Sequence, residues 1–171
     1  MKKILLLVDI QKEYSTKGRP FYINGIEKSL INAKNILDYA RENDWEIIHV
    51  EHIQDGENFS LKSEYSQFIE GFEPRRGEVV YIKSKSSCYS NKYFTQYFEK
   101  LKEREVVVVG CTATNCIIST IIEGHQMGNR FVFVKDLINS RLETEKNEVE
   151  MYEAMNLLSN YSRVVSAEEL M

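Results

Sequence analysis

Val106, Val107, Val108 and Val109 form an unbroken β-branched run that Gly110 ends. Four valines in a row leave no polar position for solvent, so the run reads as a strand buried on both faces. Parallel sheets covered by helices have such strands. A second run, Ile4 to Val8, lies near the start of the chain and stops at Asp9. Shorter apolar runs follow at Trp45–His52, Val79–Lys83, Phe131–Val134 and Arg163–Val165. Between them, Ile26–Asn43, Tyr93–Lys102, the stretch beyond Cys116 and Thr144–Tyr161 space their apolar residues as helices do. Strand and helix in alternation imply the α/β class, a parallel sheet with helices on both faces. No repeat, low-complexity segment or linker divides residues 1–171, so one domain is expected.

Three reactive side chains stand where apolar strands end: Asp9, Lys83 and Cys116. A doubly wound sheet gathers the carboxyl ends of its strands at one edge, where such folds place their sites. Cys116 follows Gly110 closely, and Thr114 or Asn115 is placed to cap a helix through Ile117 and Ile118. Free N–H groups and the helix dipole there would lower the thiol pKa and could hold an oxyanion. A buried structural cysteine accounts for this stretch alone equally well. Asp9 taken singly reads most simply as a turn residue. Together the three form a nucleophile, a base and a cation. Lys83 would favour the thiolate and keep the carboxylate ionised, whereas burial would raise the carboxyl.

Other classes are disfavoured. A net charge of −4 with no Lys/Arg-rich block argues against nucleic acid. The first apolar run is too short for a signal core, and no stretch reaches membrane-spanning length. Cys88, Cys111 and Cys116, an odd and widely spaced set, suggest free thiols in a reducing, cytoplasmic setting. There is no CxxC or HxxxH pair for zinc and no G-x-G-x-x-G for a dinucleotide. Gly124 and Gly128 read as the ending of a helix. His49 and His52 point opposite ways on a strand, so at most one faces a site. Ser15–Asn24 reads as a loop flanked by Tyr14, Phe21 and Tyr22. Gln54–Gly77 reads as a long, lid-like surface excursion with one short helix near Ser63–Glu70.

VDIQKEY with Asp9, IKSKSSCYS with Lys83 and GCTATNCIIST with Cys116 resemble, in order and spacing, the three motifs of the isochorismatase-like cysteine hydrolases. That superfamily includes nicotinamidases and N-carbamoylsarcosine amidohydrolase. MGNRFVFVKDL is similar to the family's fifth strand. The resemblance implies a single-domain, doubly wound, six-stranded parallel sheet. It implies Asp9 as general base, Lys83 as electrostatic partner and Cys116 as nucleophile. It further implies a cis peptide at Cys111–Thr112, an oxyanion hole from the backbone N–H groups of Thr112 and Cys116, and Tyr14 lining the substrate pocket. The implied reaction is thiolate attack on a small carboxamide or carbamoyl compound, with a ureide or ester as the alternative substrate and a silent binding protein as the alternative class. Cys116 argues against cleavage of isochorismate itself. The segment HVEHIQDGENFS lacks the nicotinamidase metal-binding pattern, so no metal or other cofactor is expected. Ala113 stands where the family usually has Thr or Ser, and Cys88 reads as a packing residue. A homo-oligomer is expected by resemblance, with Phe59–Phe72 as a contact surface.

Overall fold

The computed structural model describes residues 2–137, 139 and 145–171, the side chains of 145–148 and 150 aside. Its elements run β1 (Ile4–Val8), α1 (Lys12–Ser15), α2 (Ile26–Glu42), β2 (Glu46–His52), β3 (Val79–Lys83), α3 (Lys92–Phe98), β4 (Glu105–Gly110), α4 (Ile118–Gln126), β5 (Arg130–Val134), α5 (Glu145–Leu158), β6 (Ser162–Val165) and α6 (Ala167–Leu170). The expected start of α5 at Thr144 lies outside the described residues. All six strands are parallel, in the order β3-β2-β1-β4-β5-β6. The chain builds outward from β1 in one direction, then crosses to build from β4 in the other. The switch point is therefore between β1 and β4, where open α/β sheets place their sites.

The alternation of side chains across the sheet makes two cores. Leu6, Val8, Val106, Val108 and Phe133 pack under Phe94, Phe98, Ile117, Ile121 and Leu158, which come from α3, the segment after β4, α4 and α5. Leu5, Leu7, Val107, Val109 and Val132 pack on Ala33, Ile36, Leu37 and Leu170, from α2 and α6. Each fully buried aliphatic side chain contributes about 1.5–3 kcal/mol, so these two faces define the strand register. Asn91 caps α3, its side chain accepting from the N–H groups of Tyr93 and Phe94. Ser166 and Glu169 form a reciprocal capping box on α6.

Expectations change at several points. β3 is apolar yet lies at the sheet edge, so Val79 and Val80 are 40% exposed and Ile82 49%. In α5, Val149 and Tyr152 face solvent, while Ala154 and Leu158 turn inward. Of the stretch Phe59–Phe72, the two end residues are buried while Leu61 is 78% exposed. Within that excursion the short helix is a single 3-10 turn, Glu64–Ser66. Gly124 lies inside α4 rather than at its end. A Cβ there would come within 2.4 Å of both Phe131 Cε2 and Tyr89 Oη, so glycine lets the helix close onto β5.

Candidate active site

Asp9, Lys83 and Cys116 converge on the sheet's carboxyl edge. Asp9 ends β1 in the left-handed region, with φ 53°, which Asp tolerates better than most residues. Its N–H donates to Val50 O and its carbonyl accepts from Gln11 N–H, so the turn is fixed on both sides. Gly110 ends β4 opposite Val8. A Cβ on Gly110 would sit 2.0 Å from Val8 O, so glycine brings the ends of β1 and β4 together. Cys111 N–H then donates to Val8 O at 2.9 Å. The Cys111–Thr112 peptide is cis, as the resemblance implies.

The segment after it is not the capped α-helix expected from Thr114 or Asn115. Ala113–Ile117 forms a π-helical turn preceded by Thr112, with no side-chain cap, and it runs straight into α4. Ile117 N–H reaches back to Thr112 O, and Asn115 N–H also donates to that carbonyl. Thr112, the residue directly before this turn, and Cys116 within it are the two whose N–H groups are expected to receive an oxyanion. Asn139 supports this turn from the segment after β5. Its carbonyl accepts from Ala113 N–H at 3.1 Å, and its Nδ2 donates to Gly110 O at 3.0 Å. No local pattern around Asn139 marks that role.

Lys83 ties the constellation together. Its side chain is fully buried, and Nζ lies 2.8 Å from Asp9 Oδ2. Nζ also donates to Lys85 O at 3.0 Å, contacts His52 Nδ1 at 3.2 Å and donates to Cys116 Sγ at 3.5 Å. Lys83 and His52 are register partners on β3 and β2, which places their side chains side by side. Of the two histidines, His52 thus faces the site. His49 turns to the other face of the sheet and bonds Glu78 through Nε2 at 2.8 Å.

Burial raises the Asp9 carboxyl above its ordinary value, against the opposing pull of Lys83. Lys83 stays protonated, because Asp9 and Cys116 outweigh the burial that would discharge it. Burial, reinforced by Asp9, pushes the Cys116 thiol up, and Lys83 offsets this only in part. This direction is opposite to the low thiol pKa expected from the sequence, because desolvation outweighs the pull of Lys83. Burial likewise holds Cys88 near 12, consistent with a packing residue.

A recess of about 240 Å³ opens over Cys116. Tyr14, Phe21, Phe59 and His52 form one part of its lining, and Gln54, Ser84, Lys85, Ser86 and Asn115 contribute polar groups. Tyr14, Phe21 and Phe59 pack on one another at centroid distances of 5.0–6.3 Å. The loop 15–24 and the excursion 54–77 thus meet over the pocket. A larger recess of about 340 Å³ beside the start of α2 contains none of the three reactive groups.

Sequence reading missed two buried polar residues that shape this wall. Gln11 donates to His52 O and Ser66 O and accepts from His52 N–H. Glu13 is buried against Arg19 at 3.0 Å, and Arg19 reaches Asn58 and lies over the Tyr65 ring. Both follow Asp9 in a polar-looking stretch with no local signal of burial.

Fold and site together define an α/β protein with a thiol-centred site at the switch point of a parallel sheet. The comparisons with known proteins narrow that class. The Isochorismatase domain matches residues 3–169, and the chain belongs to this hydrolase family. It is 24% identical over 186 residues to a maleamate amidohydrolase of Pseudomonas putida, covering 99% of this chain and 85% of that one. It is 20% identical over 154 residues to an N-carbamoylsarcosine amidase of Arthrobacter, covering 79% of this chain and 58% of that one. Among solved structures, an isochorismatase of Pseudomonas putida superposes with a TM-score of 0.87 at 25% identity, covering 99% of this chain and 90% of that one.

Proposed function

We propose that this protein hydrolyses the C–N bond of a small carboxamide or carbamoyl compound through a thioester on Cys116. One observation carries the reading: Lys83 Nζ contacts both Asp9 Oδ2 and Cys116 Sγ beneath a recess of small-molecule size. Two relatives bear amidohydrolase or amidase names, which supports the same class. Asp9 takes the thiol proton as Sγ attacks the carbonyl carbon. Lys83 stabilises the negative charge wherever it sits, on sulfur or on carboxylate. The N–H groups of Thr112 and Cys116 receive the developing oxyanion. Asp9 then returns the proton to the departing nitrogen, and ammonia or an amine leaves as the C–N bond breaks. Water attacks the thioester, its proton passes through Asp9 back to Sγ, and the carboxylic acid is released. Tyr14 forms part of the apolar wall beside the acyl group.

The test is ammonia release from a panel of nicotinamide, N-carbamoyl amino acids and aliphatic carboxamides, with Cys116→Ala run beside the wild type. Release from at least one compound that disappears in the variant is the expected result. No release from any, together with an unreactive Cys116, would instead indicate a binding protein.

A further inference from the structure

Glu13 is fully buried, directly before Tyr14 of the recess wall. A buried carboxylate needs a partner, and among the described residues its ion pair is with Arg19. Arg19 approaches as a fork. Its Nε lies 3.2 Å from both carboxylate oxygens, and its Nη2 lies 3.0 Å from Oε2. That second nitrogen also donates to Asn58 Oδ1 at 3.2 Å, and the guanidinium carbon sits 4.4 Å from the Tyr65 ring centroid. One side chain of the loop 15–24 thus grips α1 on one side and the excursion 54–77 on the other. A lysine could make the ion pair, but its point charge cannot span all three partners.

Asn58 directly precedes Phe59, whose φ is +53°. Bulky residues rarely adopt this left-handed conformation, and it persists only where the surroundings over-determine it. Among the described residues the other positive φ values outside glycine belong to Asp9 and Asp44, a residue type that tolerates them. Phe59 is held in place instead. Its carbonyl accepts from Gln54 N–H at 2.9 Å. Its ring packs on Phe21, His52 and Tyr14 at centroid distances of 5.0, 5.1 and 5.2 Å. Phe59 is buried, and it lines the recess over Cys116.

We propose that Arg19 is a positioning residue: through Asn58 it holds the Phe59 ring in the recess wall, and so limits the size of compound that reaches Cys116. Phe59 is the residue through which it acts, and Glu13 is its buried anchor. The inference concerns access to the thiol and stands apart from which bond is cleaved.

Iodoacetamide and N-(1-pyrenyl)iodoacetamide share one reacting group and differ in bulk. Their rates at Cys116, read by peptide mass at one alkaline pH, give a size ratio. The wild type is expected to favour the small reagent. Arg19→Lys keeps a cation for Glu13 and gives up the hold on Asn58. The relative rate of the pyrenyl reagent should then rise roughly tenfold, as the loss of a charge-assisted hydrogen bond from the closed wall implies. Asn58→Leu cuts the same contact from the other end, leaves the buried ion pair intact, and should give a similar rise. Phe59→Gly removes the ring and the strain together and should raise the ratio at least as far. Adding Arg19→Lys to Phe59→Gly should change it by less than about twofold, because the two act as one unit. A merely structural Arg19 would speed both reagents alike and bring the fully buried Cys88 into reaction. The expected result is Cys88 unlabelled in every form and the pH at which Cys116 alkylation rises unmoved. An unchanged size ratio in Arg19→Lys and Asn58→Leu would overturn the proposal. So would an undiminished effect of Arg19→Lys on the Phe59→Gly background, labelling of Cys88 in step with Cys116, or no labelling of Cys116 in any form.

Discussion

Replacing Lys83 by methionine removes a buried charge and keeps a side chain of similar length. At 2.8 Å from Asp9 and an effective dielectric of about 20, the attraction lost is about 6 kcal/mol in gross terms. Much of it offsets the desolvation of the two ions. Leaving one of them buried and unpaired costs about 3–5 kcal/mol. That loss depends on pH. Burial already raises the Asp9 carboxyl, and without Lys83 it rises further. A group with a raised folded-state pKa binds more protons folded than unfolded, between its ordinary value near 3.9 and the raised one. Stability therefore falls as pH rises through that interval. Lys83→Met is expected to cost the full amount at pH 8 and less at pH 5, where Asp9 takes up a proton. Asp9→Asn combined with Lys83→Met removes the orphaned charge and regains at least half of the loss. Urea denaturation at both pH values, with the m-value checked for two-state behaviour, measures each quantity. An equal loss at pH 5 and pH 8, together with a double variant less stable than either single one, would refute the reasoning.

Other expectations follow from the same geometry. Gly110→Ala places a Cβ 2.0 Å from Val8 O at a backbone φ of +144°, and should cost about 3 kcal/mol or more in urea denaturation. Glu78 accepts from Arg41 Nε and Nη2 and bonds His49, which holds its carboxyl at about 2. Its contribution is present above about 4.5 and is lost as pH falls from there towards 2. Glu78→Gln should be less stable by about 2 kcal/mol at neutral pH, a difference that vanishes near pH 2. In the free enzyme, alkylation of Cys116 by iodoacetamide, followed by peptide mass, should accelerate only in the alkaline range. Lys83→Met should move that rise higher still. A plateau already reached at neutral pH would contradict the raised thiol pKa.

The layered fold was legible because the continuous apolar runs of β1 and β4 admit few alternatives. Val79–Lys83 met its expected limits, but apolar content cannot tell an edge strand from a central one, since both satisfy the same run. Asp9, Lys83 and Cys116 could be found because each stands where a run stops, and strand ends share an edge. The thiol's raised pKa could not, because burial depth is a property of the assembled loops. Gln11, Glu13 and Asn139 were invisible for a related reason. A polar residue buried to serve a distant backbone carries no local pattern, and its partners lie up to 55 residues away. The π-helical turn escaped notice because Thr114 and Asn115 are ordinary capping residues. The turn instead begins at the cis Cys111–Thr112 peptide, which nothing in local composition marks.

The central claim is that Cys116 carries the acyl group. The most direct measurement is acid quench during turnover of the best amide in the panel, followed by peptide mass analysis, with Cys116→Ala in parallel. The expected result is an acyl mass on the Cys116 peptide and no turnover in the variant. Undiminished turnover in Cys116→Ala, with no acyl mass on Cys116 in the wild type, would contradict it.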